Sequence, residues 1–294
     1  MVGIHPILCA ERDIYFQRVI IFLHIPKTAG TTFQIIHENN FGFSHCHTNH
    51  TKKPLFDQAD LDFARKVFPR LKSIAGHNLV EPMKLAVENP FHMTILREPV
   101  ARTFAHYQAT VNWGNNRLSF EKSLAAIEGL SNPHVRMMSG GLDLHKAKSY
   151  LEKCDFVGLT EKFDLSLFVL QRLYPHQLNP NYHRKTTAYN NTIKNYLAGD
   201  PRMVELAREY NQLDLELYDF GVKEIFPKLC EKAGLSATTE VPSFSTYTSD
   251  MKWRFLVSRL QNMCIYRQLC KKFSHTPPAA LPPVPQVNGI RQRM

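Results

Sequence analysis

The 294-residue sequence contains no apolar stretch long enough to cross a bilayer. Its longest purely apolar run is VIIFL at 19–23, against the ~20 residues a spanning helix needs. Nothing near its start joins a charged end to an apolar core of signal-peptide length, so a soluble, cytoplasmic protein is expected. Six cysteines at irregular spacing form no CxxC, and no segment holds both halves of a zinc module; reduced, inert thiols are expected. The GxxxxGK[ST] order of a nucleoside triphosphate loop is missing, as is any internal repeat. With 44% hydrophobic and 21% charged residues, a disordered, collagenous or coiled-coil chain is excluded. The length suffices for one large core without metal or disulfide staples.

Acidic residues become scarce toward the C-terminus. The formal net charge is +10, and from residue 250 onward eight basic residues face the single acid Asp250. A surplus of this sign favours an anionic partner without choosing among phosphate-bearing ligands, acidic glycans, lipids and nucleic acid.

Residues 19–25 (VIIFLHI) are β-branched and apolar on both faces, the pattern of a buried parallel strand. Further strands are expected at 72–75, 91–96 and 155–159, with helical patterns near 31–39, 58–68, 99–112, 119–128 and 143–153. After residue 160 the patterns are helical, at 161–174, 192–198, 201–219 and 221–233. The alternation predicts an α/β domain over 1–235, with a central parallel sheet flanked by helices and a helical C-terminal portion. A Ser/Thr/Pro-rich linker at 236–249 then leads to a basic amphipathic helix at 250–273 and a Pro-rich, disordered tail at 274–294. Trp253, Leu256, Val257, Leu260, Met263 and Cys264 recur at helical spacing, a stripe expected to dock on the body. The alternative is a helix lying on an anionic membrane or holding an acidic acceptor.

Two segments carry anion-binding chemistry. In FLHIPKTAGTTF a buried strand turns through Gly30 into a helix whose free N–H groups and dipole favour an anion. Thr28, Thr31 and Thr32 add hydroxyls there, and Lys27 adds a full charge. In LREPVARTFAHY, Arg97 leaves the C-terminal end of a strand, where open α/β sheets place their ligands, and Pro99 starts a helix. Its forked guanidinium suits a second phosphate; pairing with Glu98 is the plainer alternative.

These two segments resemble the 5'-phosphosulfate loop and the 3'-phosphate strand–helix of sulfotransferases that use 3'-phosphoadenosine-5'-phosphosulfate (PAPS). The nearest branch is that of the heparan sulfate 2-O- and 6-O-sulfotransferases. VGLTEKFDLSLFVLQRL and NQLDLELYDFGVKEIF extend the resemblance over roughly residues 18–230. It implies a P-loop-kinase-like sulfotransferase fold and sulfuryl transfer from PAPS to an acceptor hydroxyl. The acceptor would be a carbohydrate or small molecule rather than nucleic acid, with no metal required.

The resemblance also implies that Lys27, Thr28, Ala29, Gly30, Thr31 and Thr32 hold the 5'-phosphosulfate, and Arg97 the 3'-phosphate. Lys185 and Thr186, in HRKTT, would belong to a loop that closes over the nucleotide. Where the family carries a serine eight residues after its arginine, this chain has Ala105, with Thr103 and Arg102 as the neighbours that could replace the hydroxyl.

Sulfuryl transfer needs a cation at the leaving oxygen, a role for Lys27, and a base for the acceptor hydroxyl. Gly76-His77 follows a strand and matches a Gly-His pair of the 2-O-sulfotransferase branch, which makes His77 the candidate base. His106 is the rival, and His24 is expected to be a satisfied buried histidine within the first strand. His45, His47 and His50 suggest a polar loop touching acceptor more than a metal site. Two other readings remain: a nucleotide-dependent kinase of P-loop ancestry, and a non-catalytic anion- or glycan-binding protein.

Overall fold

Five strands pair in parallel in the order β2-β3-β1-β4-β5, with β1 at Val19–Leu23, β2 at His45–His47, β3 at Ser73–Gly76, β4 at Pro90–Leu96 and β5 at Phe156–Leu159. The computed structural model describes residues 18–114, 116–182, 191–241 and 249–273. The Pro-rich tail, Lys185 and Thr186 lie outside these described residues. Ile20, Ile21, Phe22 and Leu23 are buried, as the two-faced apolar run requires of a central strand.

The helices are α1 (Gly30–Phe41), α2 (Gln58–Val67), α3 (Pro99–Asn112), α4 (Phe120–Ala126), α5 (Pro133–Ser139), α6 (Leu144–Lys153) and α7 (Phe163–Leu173). They continue with α8 (Thr192–Gly199), α9 (Pro201–Tyr210), α10 (Gln212–Phe220), α11 (Phe226–Lys232), α12 (Ser249–Leu260) and α13 (Arg267–Phe273). The expected helix over 201–219 divides at Asn211, whose side chain turns back to the Ala207 carbonyl and accepts the Asn132 N–H. The expected helix over 221–233 begins as a π turn, Gly221–Ile225. Two elements were not expected from the sequence, the three-residue edge strand β2 and the short helix α5.

Register determines what meets at the sheet's C-terminal edge. Leu23 lies abreast of Gly76 on β3 and of Thr94 on β4, so the chain leaving each of these strands emerges side by side. Strand β1 sits between β3 and β4, where strand order departs from sequence order; this is the crevice in which open α/β sheets bind ligands. A second apolar cluster joins Val100, Phe104 and Tyr107 of α3 to Phe120 of α4, Leu197 of α8 and Met203 of α9. It holds the start of α8 over that crevice, and the Gln108 side chain accepts the Lys194 N–H at 2.9 Å.

The C-terminal helical run docks on α1 and the β2 edge, but with a different face from the one expected. Met251, Val257, Ser258, Gln261, Asn262, Tyr266 and Cys270 are turned inward. Of the stripe read from the sequence only Val257 is buried; Trp253, Leu256, Leu260, Met263 and Cys264 face solvent. Polar bonding explains the inversion: Asn262 donates to the His45 carbonyl and accepts the His47 N–H, capping the open edge of β2 as a strand would.

Candidate active site

The turn after β1 is strained in a way that suits an anion. Lys27 and Ala29 both adopt left-handed backbone, at φ 70° and 61°. Such conformations cost on the order of 1–3 kcal/mol each in a residue with a Cβ and concentrate at ligand-binding turns. Thr32 N–H bonds the Ala29 carbonyl at 3.0 Å, so the amides of Gly30 and Thr31 keep no intrahelical acceptor at the start of α1.

Gly30 is dictated by packing. A Cβ there would lie 1.7 Å from His24 Nε2. Gly30→Ala should therefore lower stability by about 1–3 kcal/mol in urea unfolding and displace the His24 ring. Wild-type stability in that variant would mean that the contact is not tight.

Lys27, Arg97 and Lys194 all line one cavity of about 610 Å³ with Gly30, Thr31 and His77, and among the described residues no carboxylate shares the lining. Arg97 Nη1 donates to the Lys27 carbonyl at 2.8 Å, which ties the two loops together. The plainer pairing with Glu98 is not what forms: that carboxylate caps α3, accepting from the Val100 and Ala101 N–H groups. The Lys27 ammonium stands 4.8 Å over the Trp113 ring. Burial and then the Arg97 charge lower the Lys27 pKa.

His77 is held in place by its backbone and its Nδ1. Its N–H donates to Asn49 Oδ1 at 2.7 Å, and Gly76 has no room for a Cβ beside Thr48 and Asn49. Its Nδ1 pairs with the His24 carbonyl at 2.8 Å. A carbonyl only accepts, so the proton sits on Nδ1 and the Nε2 lone pair is free. Desolvation in the crevice lowers the His77 pKa, the carbonyl bond raises it, and the Lys27 charge lowers it again. His106 is placed differently: its Nδ1 lies 3.0 Å from the Gly129 carbonyl but also 3.3 Å from the Arg102 guanidinium, and burial followed by the Arg102 charge lowers its pKa to about 4.

Three expectations are corrected here. His24 lies one residue past β1 on the cavity wall; its ring centroid is 3.9 Å from that of His77, and its buried Nδ1 has no partner. Arg102 and Thr103 do not face the cavity beside Ala105. Both are fully buried, and they bond each other and the Leu130 carbonyl. His45, expected in a polar loop, lies buried on β2 with its two ring nitrogens engaged by Gln34 and Ser73. The His47 and His50 rings lie 4.9 Å apart, tilted by 40°, and among the described residues no three His, Cys, Asp or Glu are arranged to hold a metal.

No family model matches the chain. The heparan sulfate 2-O-sulfotransferase hst-2 of Caenorhabditis elegans is 29% identical over 124 residues, 37% of this chain and 37% of that protein. The sequence likeness is to a sulfotransferase. The chain thus spans 37% of the length of that sulfotransferase. A solved sulfotransferase from Alicyclobacillus acidocaldarius superposes with a TM-score of 0.44 at 17% identity, over 69% of this chain and 94% of that one.

Of the residues that the sulfotransferase resemblance assigns to the 5' end, Lys27, Ala29, Gly30 and Thr31 line the cavity. Thr28 is fully buried and its hydroxyl donates to the Ile25 carbonyl at 2.9 Å; Thr32 is half-buried, away from the lining. Ala105 lines the cavity, so a hydroxyl at that position would face its interior. Lys194, Asn191, Asn112 and Trp113 also line it and were not among the residues singled out from sequence. They belong to the far end of α3 and the start of α8, which only tertiary packing brings over the crevice.

Proposed function

We propose that the chain transfers a sulfuryl group from PAPS to the hydroxyl of an acceptor, a carbohydrate by analogy with its heparan sulfate-modifying relative. The observation that carries this reading is one cavity, free of carboxylates among the described residues, with Lys27, Arg97 and Lys194 on its walls and the His77 imidazole beside them, its Nδ1 on a carbonyl. That lining matches an adenosine ester charged at both ends, and the Gly30 turn admits close backbone approach by an oxyanion.

In this reading PAPS supplies the sulfuryl group, and the residues of the chain do the rest. The amides of Gly30 and Thr31 hold the 5' end, and Arg97 holds the 3'-phosphate. The acceptor hydroxyl gives its proton to His77 Nε2 as its oxygen bonds to sulfur; the bond from sulfur to the 5'-phosphate oxygen breaks. Lys27 neutralises the charge that develops on that oxygen, and adenosine 3',5'-bisphosphate leaves. His77 then carries a proton on each nitrogen, with Nδ1–H already donated to the His24 carbonyl.

Ala105 favours a second reading, a binding protein that keeps the cradle without turnover. Thermal shift tests both this and the kinase. Adenosine 3',5'-bisphosphate at about 100 times its Kd should stabilise the protein by ~2.7 kcal/mol. A larger shift with ATP and Mg²⁺ would replace the sulfotransferase by a kinase; bisphosphate binding with no sulfated product from any hydroxyl acceptor would leave a binder. In the same assay Ala105→Ser should tighten bisphosphate about five-fold, the effect of one ~1 kcal/mol hydrogen bond. Unchanged affinity would move the 3'-phosphate away from α3.

A further inference from the structure

The C-terminal helical run is firmly held on one side and openly apolar on the other. Arg254 donates to the Asn40 carbonyl at 3.0 Å, Arg259 meets Glu38 at 3.2 Å, and Gln261 donates to the Val67 carbonyl at 3.2 Å. Tyr266 is fully buried against Phe63 and Phe68. The outward face is therefore fixed in place, and it presents Trp253, Leu256, Leu260 and Met263, exposed by 64%, 48%, 51% and 42%. Their 3-4-3 spacing makes one ridge along the helix. Phe43, 61% exposed, widens it and shares with Trp253 a groove that also holds Arg70 and Arg254. Patches of this kind mark contact with an apolar phase or partner.

Charge selects the occupant. Residues 249–273 carry Lys252, Arg254, Arg259, Arg267, Lys271 and Lys272 against one acid, Asp250, which is already paired with Arg254 at 3.0 Å. A second copy would set this surplus against itself, so self-association through this face is opposed. The ridge has a tryptophan at one end and Arg267 and Lys271 beyond the other, the mix of apolar and cationic side chains that an anionic lipid interface takes up.

We propose that this face docks on an anionic lipid surface, with Trp253, Leu256, Leu260 and Met263 in the headgroup boundary and Lys252, Arg267, Lys271 and Lys272 against lipid phosphates. The docking is independent of what the cavity binds.

Vesicle sedimentation of the full chain tests this. Partitioning onto phosphatidylcholine vesicles holding about 30% phosphatidylserine should exceed that onto pure phosphatidylcholine at least ~10-fold, and should fall as salt rises. Leu256→Asp with Leu260→Asp should lose that binding at least ~10-fold while bisphosphate still raises the melting temperature. Arg267→Glu with Lys271→Glu should lose it too, which keeps the test valid if the Asp pair misfolds. Equal binding to both vesicle types, wild-type binding by the folded variants, or light scattering that shows a dimer dispersed by the Asp pair would overturn the proposal.

Discussion

Lys27→Ala should lower sulfuryl transfer ~10²–10³-fold and weaken the binding of adenosine 3',5'-bisphosphate, the range for removing a preorganised donor from a developing oxyanion. The backbone confounds this substitution little. Lys27 already sits at φ 70°, and two residues on Ala29 holds the same left-handed conformation, so alanine meets no new strain. What is lost is the ammonium that stands over Trp113. Lys27→Arg sharpens the test, because it keeps the charge but replaces a point donor with a planar fork; only partial recovery is expected. Initial rates and calorimetric bisphosphate affinity separate the two effects. Turnover equal to wild type in Lys27→Ala would remove the residue from the reaction.

The elements that could be read in the sequence are those whose own residues determine them. The run 19–25 is apolar on both faces and became β1; Pro99 at a helix start led to α3 at its expected bounds. Strand β2 escaped notice because HCH carries no apolar pattern, and much of its pairing comes from Ser73 on β3 and Asn262 on the C-terminal run. Helix α5 is held by Asp214 from α10, which accepts the His134 and Val135 N–H groups and the His134 ring. No local signal in residues 133–139 announces that partner.

The same division explains the site. Lys27, Gly30, Arg97 and His77 follow strand ends, so a strand prediction already placed them on one rim, and the cavity brings them together. Lys194 and Trp113 reach the cavity through the apolar cluster of α3, α4, α8 and α9, whose geometry spacing does not encode. Helical spacing showed which side of the C-terminal run is apolar, but not that its polar side has the better partner in an unpaired strand edge. An edge strand must be satisfied, and that requirement outweighs the burial of five apolar side chains.

His77→Ala should cut turnover at least ~10²-fold and leave bisphosphate affinity unchanged, since in the proposed reaction the residue takes the acceptor proton and holds no phosphate. The pH profile gives a second, independent check. A base works unprotonated, so kcat/KM should fall as pH drops through the free-enzyme pKa of His77. Desolvation and the Lys27 charge together place that pKa below the ordinary ~6.5 of a histidine, against the pull of the carbonyl bond. The acid limb of the wild-type profile is therefore expected below ~6.5, and His77→Ala should abolish it. His106 provides the discriminating control, because it is the rival imidazole on the same cavity wall, with its Nδ1 between the Gly129 carbonyl and the Arg102 guanidinium. If His106→Ala removes the limb while His77→Ala behaves as wild type, the proton goes to α3 and not to the turn after β3. If neither variant moves it, neither imidazole is the base, and the acceptor must lose its proton to another group.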